Sequence, residues 1–137
     1  MRRSRSGDRP PRETVDDHEA TLRKLAIRDD SFIETVLACE QENENASALD
    51  AKQHALVRIA GLVALDAAPP SYMASVEAGL AAGLSREEIV GSLVALMPVV
   101  GVARVVSAAP KLGLALGYDV AFALEEFGPT DLWGARH

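Results

Sequence analysis

Apolar residues recur along this chain at helical spacing, and no segment shows the alternation of a half-buried strand. Within Asp16–Asp29, Leu22, Leu25 and Ala26 share one helical face. A second amphipathic segment, Asp29–Asn43, carries the apolar residues Phe32, Ile33, Val36 and Leu37. The pattern predicts an all-α protein.

Capping residues divide the rest of the chain into short helices. Asp50 precedes the apolar segment Ala51–Leu65, and Ser85 lies three residues before Glu88, which predicts a capping box. Asp30 or Ser31 is the predicted cap of the segment 29–43, with Glu34 completing a box. The polar residues 42–50 are predicted to form a loop, and Pro110 is predicted to open another short helix. About six to eight short helices result.

Two central segments, Ala51–Leu65 and Glu87–Ala109, have too little polar surface for a small monomer. A chain of 137 residues forms one domain. Its excess apolar surface is most simply covered by further copies of the chain. We therefore expect a homo-oligomer.

Residues 1–15, 16–127 and 128–137 differ in composition. The first part begins MRRSRSGDRPPR and is predicted to be a disordered basic tail. Residues 16–127 are predicted to form the helical domain, whose last helix begins at Tyr118. Residues 128–137 are expected to be a loose tail, from which Trp133 is able to dock against the domain.

Composition narrows the range of partners. The net charge of −6 and isoelectric point near 5.0 argue against nucleic acid as the main partner. The longest uncharged run, Ile89–Ala103, is shorter than the roughly 20 residues that a membrane span requires. Cys39 is the single cysteine, which excludes an intrachain disulfide and fits the reducing cytoplasm. Cys39 is predicted to be a small buried side chain.

The block Leu49–Tyr118 resembles the central region of the carboxymuconolactone decarboxylase family, which includes the AhpD-type alkylhydroperoxidases. The resemblance is carried by "LDAK" at Leu49–Lys52, a long apolar helix, and "AGLSREEI" at Ala82–Ile89. It covers about half of the chain. The resemblance implies an AhpD-like helical bundle that assembles as a homotrimer or homohexamer.

The residues that carry the family's thiol chemistry are missing. Its thiol branch has a CxxC motif, a histidine four residues further on, and a glutamate early in the long helix. The corresponding positions are here Ala68 and Ser71, Ser75, and Ala55. Without thiolates, peroxidase and disulfide-reductase activities are disfavoured. The decarboxylase branch lacks CxxC too, but its pocket histidine falls near Ser75.

Four residues near the turn "LDAAPPSY" (Leu65–Tyr72) remain candidates for catalysis or ligand binding. His54 is a candidate general base, and Tyr72 a candidate donor to a carbonyl or enolate oxygen. Arg58 and Arg104 are candidates to bind the carboxylate group of a substrate. Each of the four residues also has a purely structural interpretation. His54 would have an exposed or structural role near the start of its helix, and Tyr72 would pack at a helix start. The two arginines would form ion pairs with nearby acidic residues. Arg104 lies in an apolar run that predicts burial beside a partner such as Asp66, Glu77 or Glu40.

Two functions from different classes follow. The first is a cofactor-independent, decarboxylase- or lyase-like enzyme acting on a small carboxylate or lactone. The alternative is a non-catalytic oligomeric binding or scaffold protein of the same fold. No metal-ligand spacing, phosphate-binding glycine motif or nucleophile elbow occurs in the sequence, so neither a metal nor a cofactor is predicted.

Overall fold

The computed structural model describes the backbone of residues 9–118 and the side chains of residues 17–118. Within this range the chain forms seven helices and no strand, which confirms the all-α prediction. The helix predicted from Tyr118 onward and the tail 128–137 lie outside the described residues. The chain divides into two units, one ending at Ala48 and the other beginning at Leu49.

The first unit contains α1 (Arg9–Ala26), α2 (Asp30–Ala38) and α3 (Glu40–Ser47). The first of these begins at Arg9, within the segment 1–15 for which the sequence predicts disorder. Asp29 caps α2, since its carboxylate accepts a hydrogen bond from the Phe32 backbone N–H at 3.0 Å. The predicted cap at Asp30 or Ser31 is therefore wrong by one or two residues.

The boundary between α2 and α3 also differs from the prediction. Cys39 adopts an extended conformation (φ −163°, ψ 168°), splitting the segment predicted as one helix. The Asn43 side-chain amide donates to the carbonyl of Val36 at 3.1 Å, which satisfies a carbonyl near the end of α2. The polar segment predicted as a loop is helical as far as Ser47. Cys39 is exposed, so the prediction of a buried thiol is wrong.

The second unit contains α4 (Ala51–Leu65), α5 (Pro69–Ala81), α6 (Arg86–Val100) and α7 (Val102–Ala115). Both predicted caps are confirmed as complete capping boxes, Asp50 with Gln53 and Ser85 with Glu88. The hydrogen bond from the Ser85 backbone N–H to the Glu88 carboxylate is 2.8 Å long and is the main cause that lowers the pKa of Glu88.

The hydrophobic core of the described residues lies entirely in the second unit. Its largest fully buried side chains come from all four helices: Tyr72, Ile59, Ile89, Leu112, Val63 and Val76. Gly79 on α5 leaves room for the buried Leu84, because a Cβ there would lie only 3.0 Å from Leu84 Cδ1. The distance from that Cβ to Ala55 Cβ on α4 would be an ordinary 3.7 Å.

The prolines and Gly101 shape α6 and α7. Gly101, at φ 93°, separates the two helices in a conformation that favours glycine. Pro98 is accommodated inside α6. Pro110 lies inside α7, so the prediction that it opens a separate helix is wrong. A single helix therefore carries Arg104 and Lys111 on one side of the unit.

Candidate functional site

The turn between α4 and α5 contains the "LDAAPPSY" motif. Asp66 follows the last residue of α4 in the left-handed conformation (φ 55°), and its backbone N–H donates to the carbonyls of Leu62 and Val63. Pro69 and Pro70 occupy the first two positions of α5. There, a missing backbone N–H costs no helical hydrogen bond. The two prolines hold the chain in a rigid turn without weakening α5.

The Asp66 side chain connects this turn to α7. Its Oδ1 accepts hydrogen bonds from Ser107 Oγ at 2.7 Å and from Lys111 Nζ at 3.2 Å. Lys111 Nζ also donates to the Ala67 carbonyl at 2.8 Å. These hydrogen bonds, first that of Ser107 and then that of Lys111, lower the pKa of Asp66, and Arg104 adds a smaller attraction. The carboxylate is therefore ionised at neutral pH and already engaged within the chain.

Tyr72 is fully buried one turn into α5. Its hydroxyl has no hydrogen-bond partner within the part of the chain that the structure describes. Burial raises the pKa of Tyr72, and the negative charge of Asp66 raises it further. At neutral pH the phenol stays protonated, so it can donate a hydrogen bond but cannot act as a base.

His54 and Arg58 lie one turn apart on α4. His54 is buried, with 8% of its surface exposed, whereas Arg58 is exposed. Both residues have interaction partners in the structure. Arg104 on α7 is exposed, which overturns the burial predicted from its apolar surroundings. The positive charge of Arg104 makes a small contribution to the lowered pKa of Asp66, which was one of the partners considered for it.

An apolar groove runs between α4 and α6. It is a shallow, open groove with a volume of about 460 Å³, lined by Leu56, Val57, Ala60, Glu88, Gly91, Ser92, Ala95 and Leu96. None of the four predicted site residues is among them. The lining offers an apolar ligand or side chain a surface, with polar groups only at Glu88 and Ser92.

Sequence reasoning missed Ser107 and Lys111. They lie 41 and 45 residues from Asp66, and only the packing of α7 against the turn brings them together. One signal was present: Arg104, Ser107 and Lys111 follow the spacing of a single helix face in an otherwise apolar segment. Such a spacing indicates a polar stripe along one face of the helix, here the face whose Ser107 and Lys111 contact the turn.

The described residues contain neither a cluster of metal-ligating side chains nor a helix suited to span a membrane. Among them, no group of three histidine, cysteine or acidic side chains is arranged to hold a metal ion. In the same range, the helices are all too short or too polar to cross a bilayer.

Comparison of the chain with models of known protein families found no match, and comparisons with curated proteins and with solved structures found none either. The class that the described residues define is therefore an all-α helical protein. Its more specific assignment depends on the sequence resemblance.

Proposed function

We propose that this protein is a carboxymuconolactone decarboxylase-like, AhpD-like protein that acts as a homo-oligomeric binding or scaffold protein of the cytoplasm. One observation carries the proposal. The ends of α6 and α7 that meet at Gly101 expose large apolar side chains: Val99 at 80%, Val102 at 61% and Val106 at 63%. Apolar surface concentrated in this way is typical of a protein–protein interface.

The polar contacts of the turn support a non-catalytic role. A scaffold protein is expected to pair its charged groups internally, and Asp66 is paired with Ser107 and Lys111. The positions that would carry the family's two thiols are Ala68 and Ser71, and Cys39 belongs to the other unit. Thiol peroxidase chemistry therefore forms no part of the proposal.

The experiment changes the apolar surface without touching the core. Val99→Lys and Val106→Lys each place a charge where a partner copy is expected to pack, while Ala78→Lys places the same charge at an exposed position of α5. Sedimentation equilibrium is expected to show an oligomer that dissociates in the two valine variants and persists in Ala78→Lys. An unchanged assembly in all three variants would contradict this surface as the interface.

A second candidate function is favoured by the buried, unpartnered hydroxyl of Tyr72. In this alternative the protein is a cofactor-independent, decarboxylase- or lyase-like enzyme for a small carboxylate or lactone. Arg104 and Arg58 would bind the carboxylate, the Tyr72 hydroxyl would donate to the developing oxyanion, and His54 would transfer the proton.

The enzyme alternative is tested by ligand binding. A thermal-shift screen against lactones, dicarboxylates and keto acids is run on the unmodified chain, on Arg104→Ala and on His54→Ala. A shift that is lost in a folded variant supports the enzyme. The absence of any shift favours the scaffold.

A further inference from the structure

The apolar groove between α4 and α6 has the shape of a surface that binds a helix. It is open and shallow, whereas a site for a small molecule encloses most of its ligand. Val57 at its edge is 58% exposed, and Gly91 and Ala95 on its α6 side are exposed small residues beside which a partner helix can lie closely. The groove is therefore better suited to the apolar face of a helix than to a small ligand.

The polar groups that line the groove are already engaged within the chain. One oxygen of the Glu88 carboxylate accepts a hydrogen bond from the Ser85 backbone N–H at 2.8 Å, and the other lies 3.9 Å from Lys52 Nζ. Ser92 Oγ donates to the Ile89 carbonyl at 2.6 Å. A partner that covers the groove therefore needs apolar side chains and no charge of its own.

An exposed apolar stripe on α7 has this chemistry. Val102 is 61% exposed, Val106 is 63% exposed, and Ala109 is exposed as well. Their spacing of four and then three residues puts them on one face of the helix. The polar face of α7 is a different one, whose Ser107 and Lys111 contact the turn after α4. The α7 stripe of Val102, Val106 and Ala109 is therefore accessible and uncharged.

The α7 stripe and the groove match in length. On α6 the groove extends from Glu88 to Leu96, which is roughly 12 Å at the helical rise. From Val102 to Ala109 the stripe extends about 10 Å. Both surfaces are exposed in the same folded chain, so a stripe that fills this groove has to come from another copy.

The exposed valines around Gly101 are too few to form an interface by themselves. Three buried valine side chains contribute about 300 Å² of apolar surface, whereas a stable interface buries roughly 800 Å² on each partner. Val99 follows Ala95 by one helical turn and so continues the groove side of α6, while Val102 and Val106 belong to the α7 stripe. The groove and the stripe together come closer to the area that an interface needs.

We propose that the α7 stripe of one copy binds in the α4–α6 groove of a second copy. This inference rests on the homo-oligomer proposed above and names the two surfaces that meet in it. The contact joins different surfaces of the two chains, so each bound copy still offers a groove or a stripe to a further copy. A contact of this kind builds a ring of copies rather than an isolated dimer.

Single cysteines in the full-length chain test which surfaces meet. In a Cys39→Ser background, Ala95→Cys marks the groove, Val106→Cys marks the α7 stripe, and Ala78→Cys on α5 is an exposed control. Each variant is oxidised alone, and the groove variant is also oxidised after co-expression with the stripe variant or with the control. Intact mass spectrometry identifies which two chains each disulfide joins.

Disulfides between a groove variant and a stripe variant are expected to form about tenfold faster than in any other pair, since a disulfide requires its Cα atoms within about 7 Å. Faster joining of two identical variants would overturn the proposal by showing a symmetric interface. Equal rates in all pairs of an assembly with oligomeric mass would overturn it too, while leaving the oligomer in place. A monomeric mass in light scattering would instead contradict the proposed function and this inference together.

An exchange of charge tests the same contact without a cross-link. Ala95→Glu and Val106→Lys are each expected to raise the dissociation constant of the assembly about tenfold, because each leaves a charge unpaired in the contact. The double variant is expected to recover most of this loss, since the introduced carboxylate of one copy faces the introduced ammonium of the next. Ala95→Lys combined with Val106→Lys is the like-charge control and should stay dissociated. Equal dissociation of the two double variants in sedimentation equilibrium would contradict the proposal.

Discussion

The two units of this chain are both helical, but they are stabilised differently. Helices α2 and α3 contain no buried residue, and Leu37 is 75% exposed. In the second unit, by contrast, Ile59, Val63 and Tyr72 are completely buried. Local capping is enough to define short helices, but a cooperative core requires apolar residues from several helices. The predictions below test this difference, from the largest expected effect to the smallest.

Truncating the core is expected to have the largest effect. Ile59→Ala removes a fully buried side chain and should lower the free energy of unfolding by about 2–5 kcal/mol. Leu37→Ala, in the first unit, should change it by less than about 0.5 kcal/mol. Urea unfolding at one fixed protein concentration measures both. Similar losses would show that the first unit shares a core after all.

Two helical glycines in the second unit should respond in opposite directions. Gly79→Ala forces the buried Leu84 to move and should cost about 1–3 kcal/mol. Gly61 has open space around its Cβ position, so Gly61→Ala should stabilise the chain by about 0.5–1 kcal/mol. The melting temperatures of the two variants and of the unmodified chain, measured by thermal unfolding, test both expectations. Stabilisation by both would contradict the tight packing of Leu84 against Gly79.

Loss of a helix cap should lower the stability of the whole second unit, but in the first unit it should only unwind the helix that it caps. Ser85→Ala breaks the capping box of α6 and should reduce the free energy of unfolding by about 1 kcal/mol. Asp29→Ala removes the cap of α2, where no residue is buried. It should lower the helical circular dichroism signal while leaving the midpoint of the main transition unchanged. A shifted midpoint in Asp29→Ala would contradict the view that the first unit does not contribute to the cooperative core.

Removal of the buried hydroxyl at position 72 should cost nothing. Because Tyr72 Oη has no partner among the described residues, Tyr72→Phe should leave the free energy of unfolding unchanged or raise it by about 1 kcal/mol. Denaturant unfolding provides the measurement. A clear loss of stability would instead reveal a hydrogen-bond partner for this hydroxyl and weaken the enzyme alternative, which depends on its being unpartnered.

Acid should weaken the contact between the turn and α7. The pKa of Asp66 is lowered from its ordinary value of 3.8 by Ser107 and then Lys111. Its contribution to stability is therefore complete above that value and is lost as the pH falls below it. Thermal unfolding from pH 6 to pH 3 should show a small loss that Asp66→Asn abolishes. Asparagine also tolerates the left-handed conformation, which makes it a suitable control.

Local features of the fold were predictable from the sequence, because their residues lie within one helical turn. The predicted cap at Asp50 and the predicted capping box at Ser85 are both confirmed. The break at Cys39 was not predictable in the same way. It is accompanied by a hydrogen bond from Asn43 to the Val36 carbonyl, seven residues back, which no propensity rule anticipates.

The candidate site was harder to predict than the fold, since its contacts join residues far apart in sequence. Asp66 was considered as a partner for Arg104, but its hydrogen-bond partners are Ser107 and Lys111. An apolar neighbourhood in sequence suggested that Arg104 is buried, yet the helix turns its side chain to the surface. Which face of α7 is buried depends on how it packs against α5 and α6.

The central claim, that the chain acts as a homo-oligomer, is tested most directly by its mass in solution. Light scattering of the full-length protein over a dilution series should give three or six times the chain mass of 14.5 kDa. A mass of 14.5 kDa at every concentration would contradict the claim. The apolar surface around Gly101 would then need another explanation.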